Sequence, residues 1–226
     1  MNDVLAFITD PRNEFLAHTN DYLRICFFSI AVAMVIGVVL GIAVSKNALS
    51  AFVAVNLSGL MRAIPIIAFL IAVVPYLGLG FTPTVVALII LGIPPILLNT
   101  YTGLRGIDPA AIDAARGMGM TGWQIITRIQ MPLVLPIIAA GIRTSAVQIV
   151  ATATLAGLIG AGGYGDYIID GLYKLSNTEI LAGAIPVALL ALLIEVLMSW
   201  LQRAITPIGL RQQGAVQTQA SQAAAQ

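Results

Sequence analysis

Few side chains in this sequence could do chemistry, and those few lack the neighbours that chemistry needs. His18 is the single histidine and Cys26 the single cysteine. One cysteine cannot close an intramolecular disulfide or supply a cysteine-based zinc site. His18 lies in a polar segment and reads as a solvated surface histidine rather than a ligand or general base. Residues 160–165, Gly160-Ala161-Gly162-Gly163-Tyr164-Gly165, satisfy the spacing GxGxxG. That spacing holds a dinucleotide only where it follows a strand and opens a helix, and here it follows a long apolar run. No GxxxxGK[ST] occurs, so the chain brings no phosphate loop of that kind and an ATP-driven process would take its energy from a partner. No catalytic group, metal site or resident cofactor is expected. What remains is two isolated charges in apolar surroundings, Arg143 and Glu195, and one polar segment with regularly placed small residues, 105–132.

The elements that position these residues are membrane helices. Of 226 residues, 59% are apolar and 9% charged, against roughly 45–50% and about 25% in a soluble domain. This balance excludes a disordered chain, a nucleic-acid binder and a disulfide scaffold. A bilayer core takes about 20 apolar helical residues. Residues 25–44 are one such stretch, and residues 63–104 carry no charge at all, twice the length one span needs. Pro75, Gly78, Gly80 and Pro83 mark where that interval folds back. Five spans result, at about 25–44, 63–75, 84–103, 133–159 and 180–201, with the second open to an earlier start because 51–60 is also apolar.

The charges sort by segment. Segments 1–24, 75–83 and 160–179 carry Asp3, Asp10, Glu14, Asp21, Asp166, Asp170 and Glu179 against Arg12, Arg24 and Lys174. Segments 45–62, 105–132 and 202–226 carry Lys46, Arg62, Arg105, Arg116, Arg128, Arg203 and Arg211 against Asp108 and Asp113. Basic loops stay in the cytoplasm, which predicts an extracytoplasmic N-terminal segment 1–24 with no secretory leader, and a cytoplasmic C-terminus. The end of the chain, 206–226, is rich in Ala, Gln, Ser and Thr and is expected to be a disordered cytoplasmic tail.

Segment 105–132 is larger than a turn requires. Asp108 and Pro109 form a helix-start signal, and Gly117 and Gly119 end the helix over 110–116. Thr121 is placed to cap a second helix through Trp123, Ile126 and Ile129, ending at Pro132. Within it, Asp113-Ala114-Ala115, Gly119, Ile129 and Met131-Pro132 resemble the cytoplasmic signature of ATP-binding-cassette importer permeases: Glu-Ala-Ala, three residues, Gly, nine residues, Ile, one residue, Leu-Pro. Every spacing agrees; Asp113 stands for glutamate and Met131 for leucine. Arg62-Ala63-Ile64-Pro65, the run Pro94 to Gly103 and the run Leu158 to Gly165 resemble permeases of glycine betaine, carnitine and choline uptake systems, over about residues 20–205.

The resemblance implies an all-α integral membrane protein with a type I importer (MetI-like) permease fold of five transmembrane helices, in the bacterial inner membrane. It implies cytoplasmic ATPase subunits that bind ATP-Mg, a second permease subunit, identical or related, and an extracytoplasmic solute-binding protein. Lipid surrounds the complex, and nucleic acid is no partner. The loop is then the coupling helix, with Asp113, Ala114, Ala115, Gly117, Gly119, Thr121, Trp123, Ile129 and Pro132 as its contact residues. The permease itself does no covalent chemistry. Two other functions stay open: the same machinery importing methionine or another small amino acid, and a secondary carrier, which would predict inverted repeats that the sequence lacks.

The remaining motifs carry alternatives. Gly160, Gly162, Gly163 and Tyr164 would form a tight, flexible turn at the outer end of the fourth span, as an outer gate or a contact for the binding protein. Arg143 and Glu195 lie at similar depth, facing the bundle interior or each other, unless the fourth helix extends into the cytoplasm and leaves Arg143 near the interface. Tyr76, Phe81, Tyr164, Tyr167 and Tyr173 suit an interfacial belt or a cation–π path. Asp166 and Asp170 read as solvated loop charges, with attraction of a cationic solute or contact with the binding protein as the alternative. Small residues of the fourth span (Ala151, Thr152, Ala153, Thr154, Ala156, Gly157) suit a dimer seam or a pore lining.

Overall fold

The computed structural model describes residues 2–206, so the expected tail falls, from 207 on, outside the described residues. The elements are α1 (Asn2–Thr9), α2 (Phe15–Ser45), α3 (Ala48–Ala63), α4 (Ile66–Leu77), α5 (Phe81–Arg105), α6 (Pro109–Gly117), α7 (Gly122–Ile125), α8 (Met131–Thr152), α9 (Tyr164–Lys174) and α10 (Asn177–Ile205). Among the described residues no strand occurs. Four continuous helical runs are long and apolar enough to cross a membrane: Pro11–Ser45, Phe81–Arg105, Gly122–Ile159 and Asn177–Ile205.

The second expected span, at 63–75, takes a different form. Leu49–Ala63 and Ile66–Leu77 form a pair bent by 91°. The break is set by Pro65, which has no N–H to donate and pushes the preceding residue into extended backbone. Ile64 has φ −73° and ψ 122° accordingly.

α5 occupies the centre, between α2 and α8, and glycines let the three backbones approach. A Cβ at Gly41 would lie 2.5 Å from Thr100 Cβ, and one at Gly92 would lie 2.7 Å from Ile149 and Ser145. One at Gly141 would lie 2.9 Å from the Pro95 carbonyl oxygen. Close approach of this kind is what joins helices in lipid, where apolar burial gives no preference for a neighbour over a lipid tail. Ser145 Oγ donates to the Gly92 carbonyl oxygen at 2.9 Å. Around this seam Tyr22, Ile25, Ile96, Ile149 and Val150 are fully buried. Cys26 is free and buried.

Contacts sort the connections onto two ends of the bundle. At one end Gly80 N donates to the Ile159 carbonyl oxygen at 3.0 Å, and α1 packs against α10 and sets Phe7 edge-on to Tyr167 of α9. At the other end lie α6, α7 and the last turn of α10.

Segment 160–179 contains a helix, α9, and the start of that helix is tightly packed. A Cβ at Gly165 would lie 2.1 Å from the Thr154 carbonyl oxygen, and one at Gly157 would lie 2.4 Å from the Gly165 carbonyl carbon. Two backbones cross here with no room for a side chain. Tyr164 and Tyr167 are each 6% exposed, so these two are core residues and not a belt, whereas Tyr76 and Tyr173 stand out at 86% and 83%.

Candidate functional site

Loop 105–132 is built almost entirely from local hydrogen bonds. The Asp108 carboxylate accepts from Ala110 N at 2.9 Å and starts α6, with Pro109 in its first turn. α6 ends in a Schellman motif: Gly119 N donates to the Arg116 carbonyl oxygen at 2.9 Å and Met120 N to that of Ala115 at 3.1 Å. This arrangement requires the residue after the cap to be left-handed, and Gly119 has φ +77°. Gly117 has no such φ, and a Cβ there would meet nothing within 4 Å. Thr121 and Gln124 then form a reciprocal capping box, Thr121 N to Gln124 Oε1 at 2.9 Å and Gln124 N to Thr121 Oγ at 3.4 Å.

The second helix does not stop at Pro132. α7 passes through a π turn, Ile126–Gln130, directly into α8, giving one 38-residue helical run, Gly122–Ile159. A wider turn just before a proline relieves the clash of its ring with the preceding turn, and so the proline is absorbed instead of ending the helix.

The loop turns apolar side chains to the outside. Met118 is 73% and Trp123 72% exposed, while Ala115 and Ile125 are buried beneath them. Asp113 and Ala114 are exposed, and Asp113 pairs with Arg116 at 3.3 Å on the surface. Ile129 and Pro132 are half-buried. The sequence reading singled out Trp123 but missed Met118; its position inside a glycine-flanked break, where no core can claim it, is the signal that would have found it.

Arg143 and Glu195 are brought together. Arg143 Nη2 lies 3.1 Å from Glu195 Oε1, and Nη1 donates to Gln202 Oε1 at 3.3 Å. Both side chains of the ion pair stay about a third or more open in the isolated chain. Between this cluster and α6 lies a cavity of about 620 Å³, bordered by Asp108, Ala111, Pro136, Ala140, Gln202 and Thr206.

At the opposite end His18 is not a solvated histidine. Its Nδ1 lies 3.2 Å from the Gly163 carbonyl oxygen and 3.7 Å from Asp166 Oδ2, and its ring packs on Tyr167. Asp166 is likewise no loop charge: one of its oxygens is buried without a hydrogen-bond partner. Burial pushes the Asp166 carboxyl up, His18 opposes that shift, and Asp170 and Asp21 add to it. Burial also pushes the Tyr167 phenol up to about 12. The Tyr167 hydroxyl donates to the Asn13 carbonyl oxygen at 2.5 Å, and Tyr164 Oη to Thr19 Oγ at 3.0 Å. Asp170 does remain open and pairs with Lys174 at 3.8 Å. Gly162, Gly163 and Tyr164 thus sit beneath the N-terminal segment, with Gly162 against Asp21 and Gly163 against Tyr22, whereas Gly160 is exposed. Among the described residues no group of three or more His, Cys, Asp or Glu is placed to hold a metal ion.

Known proteins share both the sequence and the shape. The chain is 37% identical over 211 residues to the glycine betaine/carnitine/choline transport system permease protein OpuCB of Bacillus subtilis, covering 93% of this chain and 97% of that one. It is 36% identical over 183 residues to the permease protein OpuCD of the same description from that organism, covering 80% of each. Its fold matches a chain of the MetNI methionine ABC transporter, solved in inward-facing conformations, with a TM-score of 0.76 at 24% identity, over 88% of this chain and 100% of that one. Residues 33–207 match the family model described as binding-protein-dependent transport system inner membrane component, and with a helical bundle that agrees in shape and a loop that agrees in spacing, the chain belongs to that family of multi-pass bacterial inner-membrane proteins.

Proposed function

We propose that the chain is the permease subunit of an ATP-driven importer for osmoprotectants such as glycine betaine, choline or carnitine. The observation that carries the cargo is identity over nearly the full length of a permease described with those solutes. The methionine alternative has only a shared fold at 24% identity behind it.

In this reading the loop faces the cytoplasm and receives an ATPase subunit that binds ATP-Mg. Met118 and Trp123 are the exposed apolar anchors, and Asp113, Ala114, Ala115, Gly117, Gly119, Thr121, Ile129 and Pro132 shape and brace the surface. The opposite end, with α1 and α9, meets an extracytoplasmic binding protein. A second permease, either a copy of this chain or a relative, completes the pathway; the paired descriptions of the two Bacillus subtilis permeases support a related one. The permease contributes motion, not bond chemistry. Displacement of α6 and α7 passes into α8 along an unbroken helix, and into α5 through the short link 106–108.

The test is uptake of labelled glycine betaine into proteoliposomes holding the complex, with competition by choline, carnitine, proline and methionine. Competition by choline or carnitine is expected. Uptake that persists without an ATPase would refute the importer, and competition by methionine alone would move the cargo to amino acids.

A further inference from the structure

We infer that Arg143 is a positioning residue that makes α10 follow α8 when loop 105–132 is displaced; the inference rests on reading that loop as the site where the ATPase acts. The chain path poses the mechanical problem. Loop 105–132 joins α5 to α8, so both helices move with it. α10 has no backbone link to the loop at that end, because it connects to α8 only through α9, at the far end of the bundle.

α10 is the least buried of the four long helices. Only 17% of its most apolar stretch is buried, against 44% for the run containing α8 and 56% for α5. Direct contact with α6 is also interrupted, since the cavity of about 620 Å³ separates Asp108 and Ala111 from Gln202 and Thr206. On that side a guanidinium also ties α8 to α10. Arg143 reaches Glu195 with one nitrogen and Gln202 with the other. These two acceptors are two helical turns apart on one face of α10. A planar fork that holds both fixes the slide and the rotation of α10 against α8, which a lysine ammonium cannot do in the same way. A charge pair within a span costs free energy that an apolar pair would not.

The experiment compares uptake per ATP hydrolysed in reconstituted complexes. R143Q and E195Q are each expected to lower that ratio about fivefold or more while ATPase activity persists. The double variant is expected to be no worse than either single one, and the exchange R143E/E195R to regain part of the ratio. A residue that merely stabilised the fold would reduce the amount of complex and its thermal midpoint and leave the ratio native. A native ratio in R143Q, or independent losses that multiply in the double variant, would overturn the tether. Should R143Q fail to assemble, R143K takes its place. A several-fold fall in its ratio supports the tether, and a native ratio overturns it. If the native complex shows no ATP-dependent uptake, the reading of the loop fails and the tether with it; if the native complex transports and R143Q couples normally, the tether alone fails.

Discussion

The Tyr22 hydroxyl donates to the Val150 carbonyl oxygen, joining α2 to α8 where neither residue has any solvent exposure. The reason lies in the backbone of the fourth span. Ala153 N still donates to the Ile149 carbonyl, and from Ala153 the helix tightens to a three-residue spacing. That change of spacing assigns the next N–H to Ala151 and leaves the Val150 carbonyl without a backbone donor. Tyr22 supplies it. Tyr22→Phe should therefore cost about 1–3 kcal/mol, the penalty of a buried acceptor left unpaired. Tyr22→Ala should cost about 3–5 kcal/mol, with the cavity added. Unfolding of the purified permease in detergent checks both, and a cost near zero for the phenylalanine variant would refute this account.

The crossing of Gly157 and Gly165 leaves no space for a methyl group. Gly165→Ala and Gly157→Ala each place a Cβ against backbone atoms that cannot rotate away, at 2.1 and 2.4 Å. Both should fail to accumulate in the membrane or lose several kcal/mol, above the roughly 1–3 kcal/mol typical of overpacking. Gly160, nearby, has φ +64° but open space around it. Gly160→Asn should be tolerated, because asparagine accepts the left-handed region. Membrane abundance of the three variants separates the two kinds of glycine.

The two loop glycines differ in the same way. Gly119→Ala should strain the Schellman turn by about 1–2 kcal/mol, and Gly119→Val should deform the loop and abolish ATP-dependent uptake. Gly117→Ala should leave α6 intact or firmer by up to about 1 kcal/mol. Parallel measurement of uptake and of permease abundance is the check. Equal losses at both positions would mean that contact with the partner, rather than φ, governs this bend.

The sequence made the loop more legible than the other end of the bundle, for a physical reason. α6 is specified by neighbours: Asp108 caps it, Gly119 ends it and Thr121 restarts the chain, all within hydrogen-bond reach along the sequence. Four long apolar helices were equally readable from length and from charge limited to Arg143 and Glu195 over 25–44, 84–103, 133–159 and 180–201. The break at Ile64–Pro65 was visible as a proline but not as a 91° bend, because an angle depends on what each half packs against. His18, Asp166 and Tyr167 were misread as surface groups because each finds its partner across the bundle, His18 in residues 163 and 166 and Tyr167 in residue 13. A single histidine in a polar segment carries no trace of such a partner. Pro132 misled for the opposite reason: the rule that proline ends a helix is local, and the π turn before it circumvents the rule.

Asp166 should give the fold a pH dependence of definite sign. Burial raises its folded value above the ordinary 3.8. The folded state then holds the proton more tightly than the unfolded chain, so its contribution is complete below 3.8 and is lost as pH rises through the folded value. Asp166→Asn removes this titration. Relative to the asparagine variant, the native protein should lose thermal stability as pH rises above 3.8. Thermal midpoints of the two proteins across that range provide the check. A native protein that instead gains stability over the variant as pH rises would mean that attraction to His18, not burial, dominates the site.

Met118 and Trp123 support no fold of their own and should matter only to a partner. Both stand more than two-thirds exposed, and the loop beneath them is held by caps and by buried Ala115 and Ile125. Trp123→Ala and Met118→Ala should thus leave the thermal midpoint of the isolated permease unchanged. An exposed tryptophan that becomes the centre of an interface is worth about 2 kcal/mol or more, or roughly a thirtyfold loss of affinity. Trp123→Ala should weaken binding of the ATPase subunit by that factor, and Met118→Ala by less, because a flexible thioether repacks more readily. Titration of the ATPase against the detergent-solubilised permease reads both effects. If Trp123→Ala binds normally while Ala115→Leu, which disturbs the buried support, does not, then the loop docks by shape and its exposed anchors are not the source of affinity.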